Sequence, residues 1–133
     1  MIKHTTEFKH DLSASRLVDK IKGAHLNSGQ FLDWLSSNRR TKYLFVHEKD
    51  EDIDAFMILI PKRVDGEPQV LIHSIYIPPE SNGLSKEFYS IVEKMSKDWN
   101  ISKIRARVTR RDKSIMRKWG FIMDSAILTK EIQ

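Results

Sequence analysis

The chain has 133 residues, of which 40% are hydrophobic and 31% charged, with only five glycines and four prolines, so disordered, collagen-like and coiled-coil classes are excluded and one globular domain over 1–133 is expected. Cysteine is absent, which removes disulfide frameworks, thiolate metal sites and cysteine nucleophiles and leaves any chemistry to oxygen and nitrogen groups. The formal charge is +5, yet residues 101–120 hold eight cations against Asp112 alone, a net of +7 that leaves −2 for everything else.

Residues 1–7 show little pattern and no apolar stretch followed by small residues, so no secretory signal is read and a cytoplasmic location is the expectation. Leu12, Leu17, Val18 and Ile21 recur near helical spacing, with Asp11 and Ser13 as candidate caps and Gly23 as the stop. Ser28 precedes Phe31, Leu32 and Leu35, a second short helix. Lys42 to Glu48 is rich in strand formers, and the acidic stretch after it separates it from Ala55-Phe56-Met57-Ile58-Leu59-Ile60. That run is far shorter than the roughly 20 residues of a membrane span, and its unbroken apolarity suits a central strand covered on both faces.

Asp65-Gly66 marks a turn, and Val70 to Ile77 forms a third strand stopped by Pro78-Pro79, so three antiparallel strands in a meander are predicted. Leu84, Phe88, Ile91, Val92, Met95 and Trp99 then outline the clearest amphipathic helix, ended by Asn100. From Lys103 the residues alternate, with Ile104, Ala106 and Val108 on one face and Lys103, Arg105, Arg107 and Thr109 on the other. A short helix from Asp112 to Trp119 stops at Gly120, and the last 13 residues return as one long strand or a tight hairpin.

The order α-α-β-β-β-α-β-α-β is carried by Ile75-Tyr76-Ile77-Pro78-Pro79, by Gly83-Leu84-Ser85 and by Arg117-Lys118-Trp119-Gly120-Phe121. In these features the chain resembles the GNAT superfamily of acyl-coenzyme A dependent N-acyltransferases. The resemblance implies an α/β (α+β) fold with a mixed, mostly antiparallel sheet flanked by helices. It implies acetyl-CoA as cofactor, with Ile75, Ile77, Asn82, Gly83, Leu84 and Ser85 as its binding residues. The family's motif has a basic or Gln residue, two others, Gly, one other, then Gly or Ala, and here the stretch is Glu80-Ser81-Asn82-Gly83-Leu84-Ser85. Gly83 and Ser85 match; Glu80 is a carboxylate where a cation is usual, so weak coenzyme affinity is expected. The family often has a Tyr five residues before the Phe of its late Gly-Phe, and here that position is Met116, which has no proton to give.

Two titratable residues near the expected reaction site are catalytic candidates. His73 has a reference pKa near 6.5, suited to base work at neutral pH, although a lone His in an apolar strand also serves as a satisfied core residue. Tyr76 is a candidate acid or, like Tyr89, a core aromatic. The five histidines show no metal-ligand spacing, and the acidic run Glu48 to Asp54 lacks the glycine and final Glu of a calcium loop, so no metal is expected.

The primary expectation is thus acetyl transfer to an amine with impaired or lost catalysis. The alternative is a non-catalytic binding or structural protein, such as a bacteriophage virion or assembly component, which would place it in a virion. Arg105, Arg107, Arg110 and Arg111 form a candidate polyanion surface for coenzyme phosphates, an acidic protein partner or, ranked lower, a nucleic acid, and the same pattern also suits a solvated face. Self-association is a further expectation; a membrane partner is not.

Overall fold

A computed structural model describes residues 1–21, 26–81, 83–107, 119, 122–124 and 127–131. In chain order these form β1 (Ile2–Thr5), α1 (Phe8–Val18), α2 (Ser28–Ser36), a 3-10 turn (Arg39–Thr41), β2 (Tyr43–Lys49), β3 (Asp52–Val64), β4 (Glu67–Tyr76), α3 (Leu84–Asp98), β5 (Lys103–Arg107), β6 (Ile122–Asp124) and β7 (Ile127–Glu131). The strands make one mixed sheet in the order β1-β2-β3-β4-β5-β7-β6. Every neighbouring pair is antiparallel except β4 beside β5, which run parallel.

The unbroken apolar run of β3 divides between two cores, as expected for a strand buried on both faces. Ala55, Met57 and Leu59 join Leu84, Phe88 and Val92 of α3. Phe56 and Ile58 join Ala14 and Val18 of α1 and Phe31 and Leu35 of α2. The helices thus cover opposite faces of the sheet, and the apolar residues that hold them are almost fully buried.

Turn chemistry sets the meander. Asp50 and Glu51 have φ of 51° and 67°, and Asp65 and Gly66 have 52° and 80°. Each pair links strands whose flanking residues are directly opposite, Lys49 with Asp52 and Val64 with Glu67. Two successive positive φ values in a two-residue loop match the right-handed twist of the strands. The end of α3 is equally specific: Asn100 has φ 57°, its N–H reaches the Lys97 carbonyl at 3.0 Å and the Ile101 N–H reaches the Ser96 carbonyl at 2.8 Å. These two bonds satisfy carbonyls that a helix end otherwise leaves open.

The structure revises several expectations. The unpatterned N-terminus forms an edge strand, β1, whose Ile2 to Thr5 pair with His47 to Leu44. The first helix starts earlier than its leucines suggested, at Phe8, and buries His10, Asp11, Ala14, Ser15 and Val18. Its inner face is partly polar because the Arg39 guanidinium binds both Asp11 oxygens at 3.0 Å and donates to the Thr5 and Lys42 carbonyls. Asn27 rather than Ser28 caps α2, in a reciprocal box with Gln30. Of the two forms expected for the last 13 residues, the described residues show the hairpin, with β6 and β7 paired antiparallel. The expected helix 112–119, apart from Trp119, and the stop at Gly23 lie outside the described residues.

Candidate active site

Two bulges shape one end of the sheet. Leu59 faces Ile72 and Ile58 faces Ser74, so His73 is an extra residue on β4. His47 faces Ala55 and Glu48 faces Ile53, so Asp54 is an extra residue on β3. A bulge reverses which alternate residues face each side. Before His73, Val70 and Ile72 face α3; after it, Ile75 and Ile77 do, while Tyr76 turns to the α1 and α2 side.

The parallel pairing of β4 with β5 covers only Val70 to Ile72 against Ile104 to Ala106. Beyond Ile72, β4 continues to Tyr76 paired with β3, and β5 is paired along its other edge with β7 from Lys103 to Arg107. Among the described residues, the parallel pairing runs to Ile72 opposite Ala106, one residue before the last described residue of β5.

After β4 comes the start of α3. Gly83 is its N-cap at φ 76°, a backbone conformation that favours glycine, and a Cβ built there would meet nothing within 4 Å. No side chain caps this helix. The first helical bond runs from the Glu87 N–H to the Gly83 carbonyl, so the N–H groups of Leu84, Ser85 and Lys86 have no partner within the helix. A Pro78 carbonyl that accepts from the Ser81 N–H and hydroxyl, at 3.2 and 2.8 Å, folds the preceding loop. Uncapped donors and the helix dipole suit a pyrophosphate, so these residues fit acetyl-CoA. Ser85 does not cap the helix: its Oγ accepts from the Trp119 indole N–H at 3.0 Å, which pins the first turn.

On the other face, a cavity of about 510 Å³ opens at the end of β4. Leu17, Ile53, Tyr76, Pro78 and Pro79 supply its less polar walls, and Lys20, Asp54 and Glu80 its charged ones. Asp54, the bulged residue, lies 2.7 Å from His47 Nδ1. Glu80 thus shares a cavity with α1 and β3.

Sequence reasoning placed His73 and Tyr76 together, and the structure separates their surroundings. Tyr76 is buried and lines the cavity. His73 stacks on Trp34 of α2, ring centroids 3.8 Å apart and planes 18° from parallel, with Nδ1 2.7 Å from Ser74 Oγ. Lys42 Nζ lies 4.5 Å from the Trp34 ring centroid and donates to the Trp34 and Ser37 carbonyls at the end of α2. Burial, and secondarily Arg39, pushes the Lys42 ammonium below its ordinary pKa. Asp54, Lys20 and Trp34 were missed because a bulge and a tertiary stack leave no periodic signal.

Of the coenzyme residues, Ile75 and Ile77 sit in the core facing α3, and Gly83, Leu84 and Ser85 form its start; Asn82 lies outside the described residues. Arg105 is only half-exposed, with its Nε buried and without a hydrogen-bond partner. Arg107 is placed by its backbone opposite Ile127, and Arg110 and Arg111, like Met116, lie outside the described residues. Among the described residues, no group of three or more His, Asp or Glu side chains is arranged to hold a metal, and no helix is long and apolar enough to cross a membrane.

No protein-family model matches the sequence, and no curated protein matches it. Solved structures do. An acetyltransferase of the GNAT family from Streptococcus pneumoniae superposes with a TM-score of 0.70 at 12% identity, over 100% of this chain and 99% of that one. The NatC complex bound to Gag peptide and CoA gives 0.76 at 11% identity, over 100% and 98%. AtaTR bound with acetyl-CoA gives 0.68 at 13% identity, over 98% and 92%. The chain has the GNAT fold, with the mixed and mostly antiparallel sheet that the resemblance implied. The expected likeness to phage virion proteins gains no support from these neighbours.

Proposed function

We infer that the protein is an N-acetyltransferase that takes an acetyl group from acetyl-CoA to an amine. The observation that carries this reading is the α3 start at Gly83, whose first N–H groups have no partner within the helix, together with the cavity at the end of β4 by Tyr76. Leu84 and Ser85 would hold the pyrophosphate through backbone N–H groups, and β4 would hold the pantetheine and polarise the acyl carbonyl. Acetyl-CoA would supply an activated thioester; the chain's part is to orient the amine and exclude competing water.

Tyr76, on the cavity wall, would exchange a proton there, and His73, stacked on Trp34, would hold the bulge that precedes it. Low affinity and slow turnover belong to this reading, because Glu80 replaces the cation usual beside the pyrophosphate and Met116 replaces the usual acid. The test is release of free coenzyme A thiol from acetyl-CoA in the presence of a primary amine. Tyr76→Phe should lower kcat at least tenfold with KM little changed, and His73→Gln should lower it less; equal rates in Tyr76→Phe and the wild type would remove Tyr76 from the reaction.

A further inference from the structure

The charged groups of the cavity do not balance. Asp54 and Glu80 face it with Lys20, leaving a formal charge of −1 in a space whose remaining walls are Leu17, Ile53, Tyr76, Pro78 and Pro79. Asp54 reaches the cavity because the β3 bulge takes it out of register, and its contact with His47 holds the carboxylate in place. Bulges next to ligand sites serve to re-aim a side chain in this way. The size is within the range of small-molecule sites, and Tyr76, on its wall, is the last residue of β4.

We propose that this cavity holds the far end of the acceptor and selects an aliphatic amine carrying a second, cationic nitrogen, of which a short α,ω-diamine is the simplest case. The proposal rests on the acetyltransferase reading for the identity of the reaction, but not for the binding preference itself. The nucleophilic nitrogen must be unprotonated to attack. The remaining ammonium then brings +1 to a pocket of −1, and the methylene chain lies against the apolar walls. An acceptor of the same length ending in a carboxylate would meet Asp54 and Glu80 with only Lys20 to offset them.

Glu80 would then act with opposite signs on the two substrates. It attracts the cationic acceptor and repels the coenzyme's phosphates, so a carboxylate unsuited to the pyrophosphate has a role in acceptor choice.

The experiment is calorimetric titration of the full chain with 1,4-diaminobutane, butylamine and 4-aminobutanoate, with acetyl-CoA titrated separately. The diamine should bind about tenfold tighter than 4-aminobutanoate, a preference that shrinks with added salt. Glu80→Gln should reduce it several-fold and Asp54→Asn with Glu80→Gln should abolish it, while Glu80→Gln alone tightens acetyl-CoA. Equal or better binding of 4-aminobutanoate, a preference that survives in the double variant, or no binding of any amine would overturn the proposal. Should the double variant fail to fold, Lys20→Met decides: it should strengthen the diamine preference, and a weakened preference would contradict the charge argument. Coenzyme binding without amine charge preference would defeat this proposal alone; charge preference without coenzyme binding would defeat the acetyltransferase reading alone.

Discussion

Trp34 lies ring to ring on His73, with centroids 3.8 Å apart and planes 18° from parallel. This stack ties α2 to β4 at the residue where the strand bulges. Trp34 also meets Phe31 at 5.7 Å and lies under the Lys42 ammonium.

Trp34→Ala should therefore cost about 2 kcal/mol of stability, less than the roughly 3–5 kcal/mol of a fully buried aromatic truncation because the ring is only half-buried. If the stack holds the bulge, turnover should also fall while acetyl-CoA affinity stays within about twofold. Trp34→Phe should restore much of both. Thermal melts and steady-state kinetics on the two variants check this.

Asp11 is almost fully buried and owes that to Arg39. Arg39→Met should destabilise by about 3 kcal/mol because it leaves a buried carboxylate without its partner. Adding Asp11→Asn should recover part of the loss, and a double-mutant cycle by denaturant titration measures the coupling. A cycle showing no coupling would mean that the pair only fills space.

The same pair shows what the sequence could and could not tell. The meander, the turn at Asp65-Gly66 and α3 were legible because alternation, a two-residue turn and a six-residue apolar stripe are local signals. The mixed sheet followed from the resemblance, and its parallel pair is β4 with β5, Leu71 opposite Arg105. What was hidden depends on distant partners: Asp11 faces inward because Arg39, 28 residues away, meets it there. Strand β1 has a weak pattern because it is an edge strand of four residues with two exposed side chains. The bulges at Asp54 and His73 reverse the phase of their strands, so a strict period of two misplaces whatever follows them. That is why Tyr76 and His73, three residues apart and expected on opposite faces, both lie on the α1 and α2 side, one on the cavity wall and the other against Trp34.

Stability should fall in acid partly through Asp52. The Ser13 hydroxyl and the Ile53 N–H bind its carboxylate and hold it below its ordinary pKa of 3.8. A lowered carboxylate pKa stabilises the fold at pH above the unfolded value, and that contribution disappears as pH falls through the lowered value. Asp52→Asn should melt below the wild type at pH 6, and the gap should close as the pH falls below the ordinary value of 3.8 and through the lowered one. A gap that is constant between these pH values would assign the difference to lost hydrogen bonds alone.

The most direct test of the account is calorimetric titration of acetyl-CoA into the wild type and Gly83→Val. The wild type should bind one equivalent with a Kd of about 100 μM, roughly 5.5 kcal/mol of binding energy. Gly83→Val should bind at least tenfold more weakly, because a branched side chain strains the φ of 76° that starts α3. No heat of binding up to millimolar acetyl-CoA, or equal affinity in the folded variant, would contradict the claim that the coenzyme sits at the start of α3.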